Sequence, residues 1–132
     1  MSYKVVLTHS FKQSVKRLGK RFRHVKDEVR LAVESLERIP QLGAQIPGGD
    51  EVRKLRVANS DLMRGKSGGY RLLYKLAEQP DPTLYLLLLY AKSDQEDVTK
   101  DELRQLLDDL ANEQQPADSA PPAAGLQPPT DV

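Results

Sequence analysis

The order of apolar patterns along the chain predicts an α+β domain: two helices precede a small, antiparallel-dominated sheet and a third helix follows it. Three observations carry that reading. Apolar residues recur every three or four positions between residues 11 and 36, alternate in steps of two in Val52 to Ala58 and again through Leu72, Tyr74 and Leu76, and return to helical spacing after Asp101. At 132 residues, with 39% hydrophobic and 30% charged side chains, the chain suffices for one core and is short for two.

Residues 3–8 form a short apolar run suited to a strand. Ser10 followed by Gln13 has capping-box spacing and sets the expected start of the first helix. Phe11, Val15 and Leu18 then make one buried stripe, with Lys12, Lys16, Arg17 and Lys20 on the solvent side. The pattern breaks over residues 19–24 and resumes as Val25, Val29, Ala32, Val33 and Leu36 until Pro40 ends it. Two such helices with a short basic link pack as a hairpin.

Turn formers dominate Pro40 to Asp50, which reads as a loop into the sheet. In Val52 to Ala58, Leu55 and Val57 share one face and Lys54 and Arg56 the other. In the next strand Leu72, Tyr74 and Leu76 oppose Arg71, Leu73 and Lys75. Paired as an antiparallel hairpin, these strands set Lys54, Arg56, Arg71 and Lys75 on one sheet surface. Leu84 to Ala91 is apolar on both parities, as in a strand buried on both faces. Leu103, Leu106, Leu107 and Leu110 mark a final helix starting near Thr99 or Lys100. The predicted order is β-α-α-β-β-β-α, with the helices on one side of the sheet. The domain spans 1–111. Residues 112–132 hold five of the nine prolines and show no periodicity, the composition of a disordered tail.

Composition removes several classes of function. Without cysteine there are no disulfides, thiol nucleophiles or thiolate metal sites, and with only His9 and His24 beside them no metal or cofactor is expected. The N-terminal apolar run is too short for a signal peptide, and the longest run falls well below the ~20 residues of a membrane span. A soluble, cytoplasmic protein without a membrane partner is the expectation. The net charge of +1 conceals a division. Residues 1–93 carry 18 Lys and Arg against 9 Asp and Glu, and residues 94–132 carry 2 against 10. Such asymmetry points to polyanion binding by the basic part.

The densest basic motif is Arg64-Gly65-Lys66-Ser67-Gly68-Gly69-Tyr70-Arg71. Glycine permits close backbone approach to a ligand, and Lys and Arg neutralise phosphate. A nucleotide-binding P-loop is excluded, because its first glycine would fall at Ser60 and a strand composition, not a helix, follows.

Together with Arg53-Lys54-Leu55-Arg56, Tyr70-Arg71-Leu72-Leu73-Tyr74 and Tyr90-Ala91-Lys92-Ser93-Asp94-Gln95-Glu96-Asp97, this motif resembles the RelE/ParE toxin superfamily of type II toxin–antitoxin systems. The likeness is to the RelE/HigB-like mRNA interferase branch and covers about residues 3–107. It implies an endoribonuclease that enters the ribosomal A site, cuts the mRNA there and inhibits translation. It also implies a cognate antitoxin, of helix-turn-helix type, through which alone the protein would reach operator DNA. By the same resemblance Arg71 contacts the scissile phosphate, Arg64 and Lys66 are the basic loop residues, and Lys92 is the basic residue after the last strand. Positions where several members carry a further arginine and a tyrosine fall here on Ser93 and on Val98 or Thr99, which weighs against a tyrosine-dependent mechanism. The alternative within the superfamily is a ParE-like toxin acting on DNA gyrase by protein contact.

RNA supplies its own nucleophile, the 2′-hydroxyl, so cleavage needs a base, an acid and charge stabilisation at the phosphorane. Neither histidine lies in the basic cluster, which leaves Lys66 or Lys92, crowded by other cations, as base or acid. Arg71, Arg64 and Arg56 hold the phosphate, Lys54 and Lys75 extend the basic surface, and Tyr90 is the best placed tyrosine to meet a base. Glu96-Asp97 reads as a complement to the dipole of the last helix. That acidic helix is expected to cover the basic face until a partner displaces it.

Overall fold

The computed structural model describes residues 3–48, 51–61 and 69–113. The elements are β1 (Lys4–Leu7), α1 (His9–Gly19), α2 (Val25–Arg38), β2 (Ala44–Gln45), β3 (Val52–Val57), β4 (Tyr70–Ala77), β5 (Thr83–Ala91) and α3 (Lys100–Glu113). The α+β class stands, with one added element. The turn-rich stretch after Pro40 contains β2, which pairs antiparallel with β3 through Ala44↔Lys54 and Gln45↔Arg53. Tyr74 secures this stretch, its hydroxyl donating to Pro40 O at 2.7 Å and accepting from Gly43 N–H at 2.9 Å.

The sheet order is β1-β5-β4-β3-β2. Its three central strands are antiparallel neighbours, and β1 lies parallel to β5 at one edge. A register shift between Leu73 and Tyr74 opposes Leu73 to Leu88 and Tyr74 to Leu86, leaving Leu87 as the extra residue of a bulge. The bulge explains the apolar run on both parities. Leu84, Leu86, Leu89 and Ala91 face the helical hairpin, whereas Leu87 and Tyr90 face the other way.

Two core clusters result. The first joins Phe11, Leu18, Val25 and Leu36 of α1 and α2 to Leu72, Tyr74 and Leu86 of the sheet. Each fully enclosed Leu among these contributes about 1.5–3 kcal/mol. The second joins Val52, Leu73, Leu87 and Tyr90 to Leu103 and Leu110 of α3. The C-terminal helix therefore packs on the face opposite the hairpin, not on the same side. The reason lies in β4 and β5, which carry leucines on both faces while the hairpin can cover only one.

Helix boundaries differ from expectation where side chains decide them. The N-cap of α1 is Thr8, not Ser10: Thr8 Oγ1 accepts the Phe11 N–H at 3.2 Å and donates to Leu86 O at 2.8 Å, so one buried hydroxyl caps the helix and pins it to β5. At α3, Thr99 Oγ1 accepts the Glu102 N–H at 3.0 Å while Glu102 Oε1 accepts the Thr99 N–H at 2.8 Å, a reciprocal capping box. That helix continues to Glu113, past the domain end expected at residue 111, and the Glu113 carboxylate accepts the His9 N–H at the start of α1. The tail expected beyond it falls, from residue 114, outside the described residues. No helix among the described residues is long and apolar enough to cross a membrane.

Candidate functional site

Antiparallel register places directly opposed residues on one face, and the ladder here opposes Arg56 to Arg71 and Arg71 to Tyr90. A row Arg56–Arg71–Tyr90 therefore crosses β3, β4 and β5 on the face that α3 partly covers. Lys54 stands two residues along β3 from Arg56, on the same face and opposite Leu73. Lys92 follows β5 with the parity of Tyr90; its N–H donates to Gly69 O at 2.9 Å, so the ladder runs one residue beyond the strand. Lys54, Arg56, Arg71, Tyr90 and Lys92 thus gather at one end of the sheet. Lys75 does not join them. It shares the face but is opposite Val52 and Tyr85, roughly 13 Å along β4 from Arg71.

Arg64 and Lys66 lie outside the described residues, but both ends of the segment that carries them are fixed. On entry, Asp61 accepts from the His24 N–H at 3.1 Å and meets His24 Nδ1 at 2.8 Å, while the Ser60 N–H donates to Glu28 Oε1 at 2.8 Å. On exit, Gly69 leads straight into β4, so a strand follows Gly65-Lys66-Ser67 and the P-loop stays excluded.

The cations are not bare. Arg71 is buried, 7% exposed, and its Nη1 donates to Tyr70 O at 3.0 Å. Lys92 Nζ lies 3.2 Å from Glu96 Oε2, so the crowding by other cations invoked for it gives way to a carboxylate neighbour. Lys54 Nζ lies 2.9 Å from Asp97 Oδ1, and the Tyr90 hydroxyl approaches the same oxygen at 3.5 Å. Asp97 therefore does more than complement a helix dipole: its carboxylate sits among the basic side chains. That lysine, donating to it, holds the Asp97 carboxyl below the usual carboxylate range. Burial, reinforced by the Asp97 charge, pushes the Tyr90 phenol up to about 12, so it keeps its proton at neutral pH and can donate it to the Asp97 carboxylate. The Tyr90 ring is 4% exposed and packs in the second core cluster, which leaves no open ring face for a nucleobase.

Asp97 was the residue that sequence reasoning missed. Its acidity was visible, but its partner is 43 positions away on another strand. Asp94 completes a similar arrangement in the loop, its carboxylate bridging both terminal nitrogens of Arg21 at 2.7 and 3.1 Å. Among the described residues no group of His, Cys, Asp and Glu is placed to hold a metal ion. A groove of about 690 Å³ lies elsewhere, between α1 and α2. Its floor includes Phe11, Val15 and Val29 and its rim Lys12, Lys16, Lys20 and Lys26. Formed largely by the hairpin, it belongs to the other side of the sheet from Arg71.

Comparison with known proteins agrees with this architecture. The structure is similar to that of the E. coli toxin RelE, solved in the free state as a double arginine-to-alanine mutant, with a TM-score of 0.52 and 15% sequence identity. The match covers 87% of this chain and all of that one. Residues 4–120 match the model of the RelE toxin of the RelE/RelB toxin–antitoxin system. With that match spanning most of its length, the chain belongs to the RelE toxin family.

Proposed function

We propose that the protein is a ribosome-dependent mRNA endonuclease that arrests translation in the cytoplasm and is neutralised by a cognate antitoxin of helix-turn-helix type. The observation that most supports this reading is the Arg56–Arg71–Tyr90 row with Lys54 and Lys92 beside it, two guanidiniums and two ammoniums converging at one sheet end. Charge of that kind stabilises the dianionic phosphorane formed when a 2′-hydroxyl attacks the adjacent phosphodiester. A planar guanidinium matches two phosphate oxygens at once, the role assigned to Arg71 and, beside it, Arg56.

Lys66 takes the 2′-hydroxyl proton and Lys92, which pairs with Glu96, protonates the leaving 5′ oxygen. Arg64 and Lys54 hold the flanking phosphates, and Tyr90 acts through its hydroxyl instead of its ring. Lys75 contributes only to the longer-range field that draws in a polyanion. No cofactor enters this scheme.

The test is induction of the wild type and of Arg71→Ala in growing cells, with the 5′ ends of ribosome-bound messages mapped. Cuts inside translated messages are expected from the wild type and should drop about 10²–10³-fold in the variant, the loss typical of removing one transition-state donor. Cells carrying Lys66→Ala together with Arg71→Ala should grow normally. Equal cutting by Arg71→Ala would remove it from the site, and DNA damage with intact messages would identify a ParE-like action on gyrase instead.

A further inference from the structure

The loop between β5 and α3 carries three acids, and each is paired with a base: Asp94 with Arg21, Glu96 with Lys92 and Asp97 with Lys54. Two of those bases belong to the proposed phosphate site. Of the three carboxylates, Asp97 is the one held from several sides. Its Oδ1 takes Lys54 Nζ at 2.9 Å, the Val98 N–H at 2.8 Å and the Tyr90 hydroxyl at 3.5 Å. Glu96, by contrast, is 89% exposed at its side chain and has the lysine four residues before it as partner.

A carboxylate and a phosphodiester oxygen are alike to an ammonium: both are anionic acceptors that take its N–H bonds. The three N–H groups of one lysine can reach both, but its single charge cannot neutralise both. An RNA phosphate reaching Lys54 must displace Asp97 or accept the repulsion of a full negative charge alongside. We infer that Asp97 is a specificity-determining residue: its carboxylate stands where a phosphate oxygen of the substrate binds, and so selects against RNA that is not held in place by something else. The inference rests on the reading of this face as an RNA site. Free single strands meet the competing carboxylate with only their own affinity. A message already fixed in a ribosome presents its phosphate at high effective concentration and prevails. The discrimination then arises from one side chain and needs no movement of α3. That helix is not a removable cover, because Leu103 and Leu110 are part of the second core cluster.

The experiment uses the full chain and a fluorescein-labelled poly(U) oligonucleotide, titrated by anisotropy at several salt concentrations. Asp97→Asn keeps the shape and an acceptor for the Val98 N–H while removing the charge. It should tighten binding about 2- to 10-fold at low salt, the range of one exposed ion pair plus one neighbouring like charge. The slope of log K against log salt should steepen by about 0.7, as one more cation becomes available to a phosphate. Asp108→Asn, an equal change of charge on the exposed side of α3, supplies the reference. In a Lys54→Gln background the gain from Asp97→Asn should shrink to that of Asp108→Asn. Binding no tighter in Asp97→Asn than in Asp108→Asn, or a gain undiminished by Lys54→Gln, overturns the inference. Cleavage of ribosome-bound message is scored separately. Tighter oligonucleotide binding without any cleavage supports the role of Asp97 and refutes the nuclease reading. Unchanged binding with normal cleavage does the reverse.

Discussion

Replacing Gly69 by alanine tests how tightly the site is built into the sheet. Gly69 closes the gap between β3 and β5: its carbonyl accepts the Lys92 N–H, and its neighbour Tyr70 pairs with Val57. A Cβ here would drive into the Val57 carbonyl oxygen and lie 2.9 Å from Asn59 N and 3.1 Å from Ala58 C. All three are backbone atoms, so no side chain can swing aside, and relief requires prying β3 from β4 beside the Arg56–Arg71 pair. Overpacking of this kind costs about 1–3 kcal/mol. For a domain of this size that lowers Tm by roughly 4–12 °C. On the proposed nuclease reading, a displacement of about 1 Å at Arg71 lowers cleavage ~100-fold. The reference is Gly19→Ala, at the end of α1, where the added methyl meets only Val25 Cγ1 at an ordinary 3.7 Å. It should leave Tm unchanged or raise it, because alanine favours helix by about 1 kcal/mol. Thermal melts and poly(U) affinity measured side by side check the pair. A Gly69→Ala protein with wild-type melting and affinity would refute the steric reading of this glycine.

Further outcomes follow from individual side chains. Leu73→Ala, fully buried beneath α3, should cost about 2–5 kcal/mol in urea unfolding, and a loss below 1 kcal/mol would show that α3 does not seal that face. Thr8→Ala removes the α1 cap and leaves the Leu86 carbonyl without that hydroxyl, for about 1–2 kcal/mol by the same assay; Thr8→Ser should recover most of it. The Asp97 carboxyl is depressed in the folded state, so the unfolded chain binds protons more readily and the stabilisation from the ion pair is complete only above the ordinary value of 3.8. Stability of the wild type should fall as pH drops below 3.8 and through the lower folded value, with a shallower acid limb in Asp97→Asn. Identical acid limbs would show that the Lys54 pair contributes nothing to folding.

Much of the architecture was legible because local patterns repeat along the chain. The stripe Phe11, Val15, Leu18 and the alternation through Leu72, Tyr74 and Leu76 each name a buried face without reference to anything distant, and the first core cluster uses those faces. Local pattern favours Ser10 over Thr8 as the α1 cap, because serine is the stronger capping residue and Gln13 completes a capping-box spacing. What overrides it is the Leu86 carbonyl, 78 positions away, which Thr8 alone engages. β2 went unseen for a related reason: two residues carry no periodicity, and their strand character comes from pairing with β3.

The sequence by itself determined which residues carry positive charge, which strand faces they occupy and that Arg71 and Arg56 would share one, because alternation and antiparallel pairing are local rules. Only the tertiary structure decided which of them meet. Register separated Lys75 from the cluster by the length of half a strand, and the bulge at Leu87 turned Tyr90 toward Arg71. The chain's return after β5 set Asp97 against Lys54. Spacing along a chain says nothing about the distance between side chains from different strands; pairing and packing set it, and so decide which charge each basic residue faces.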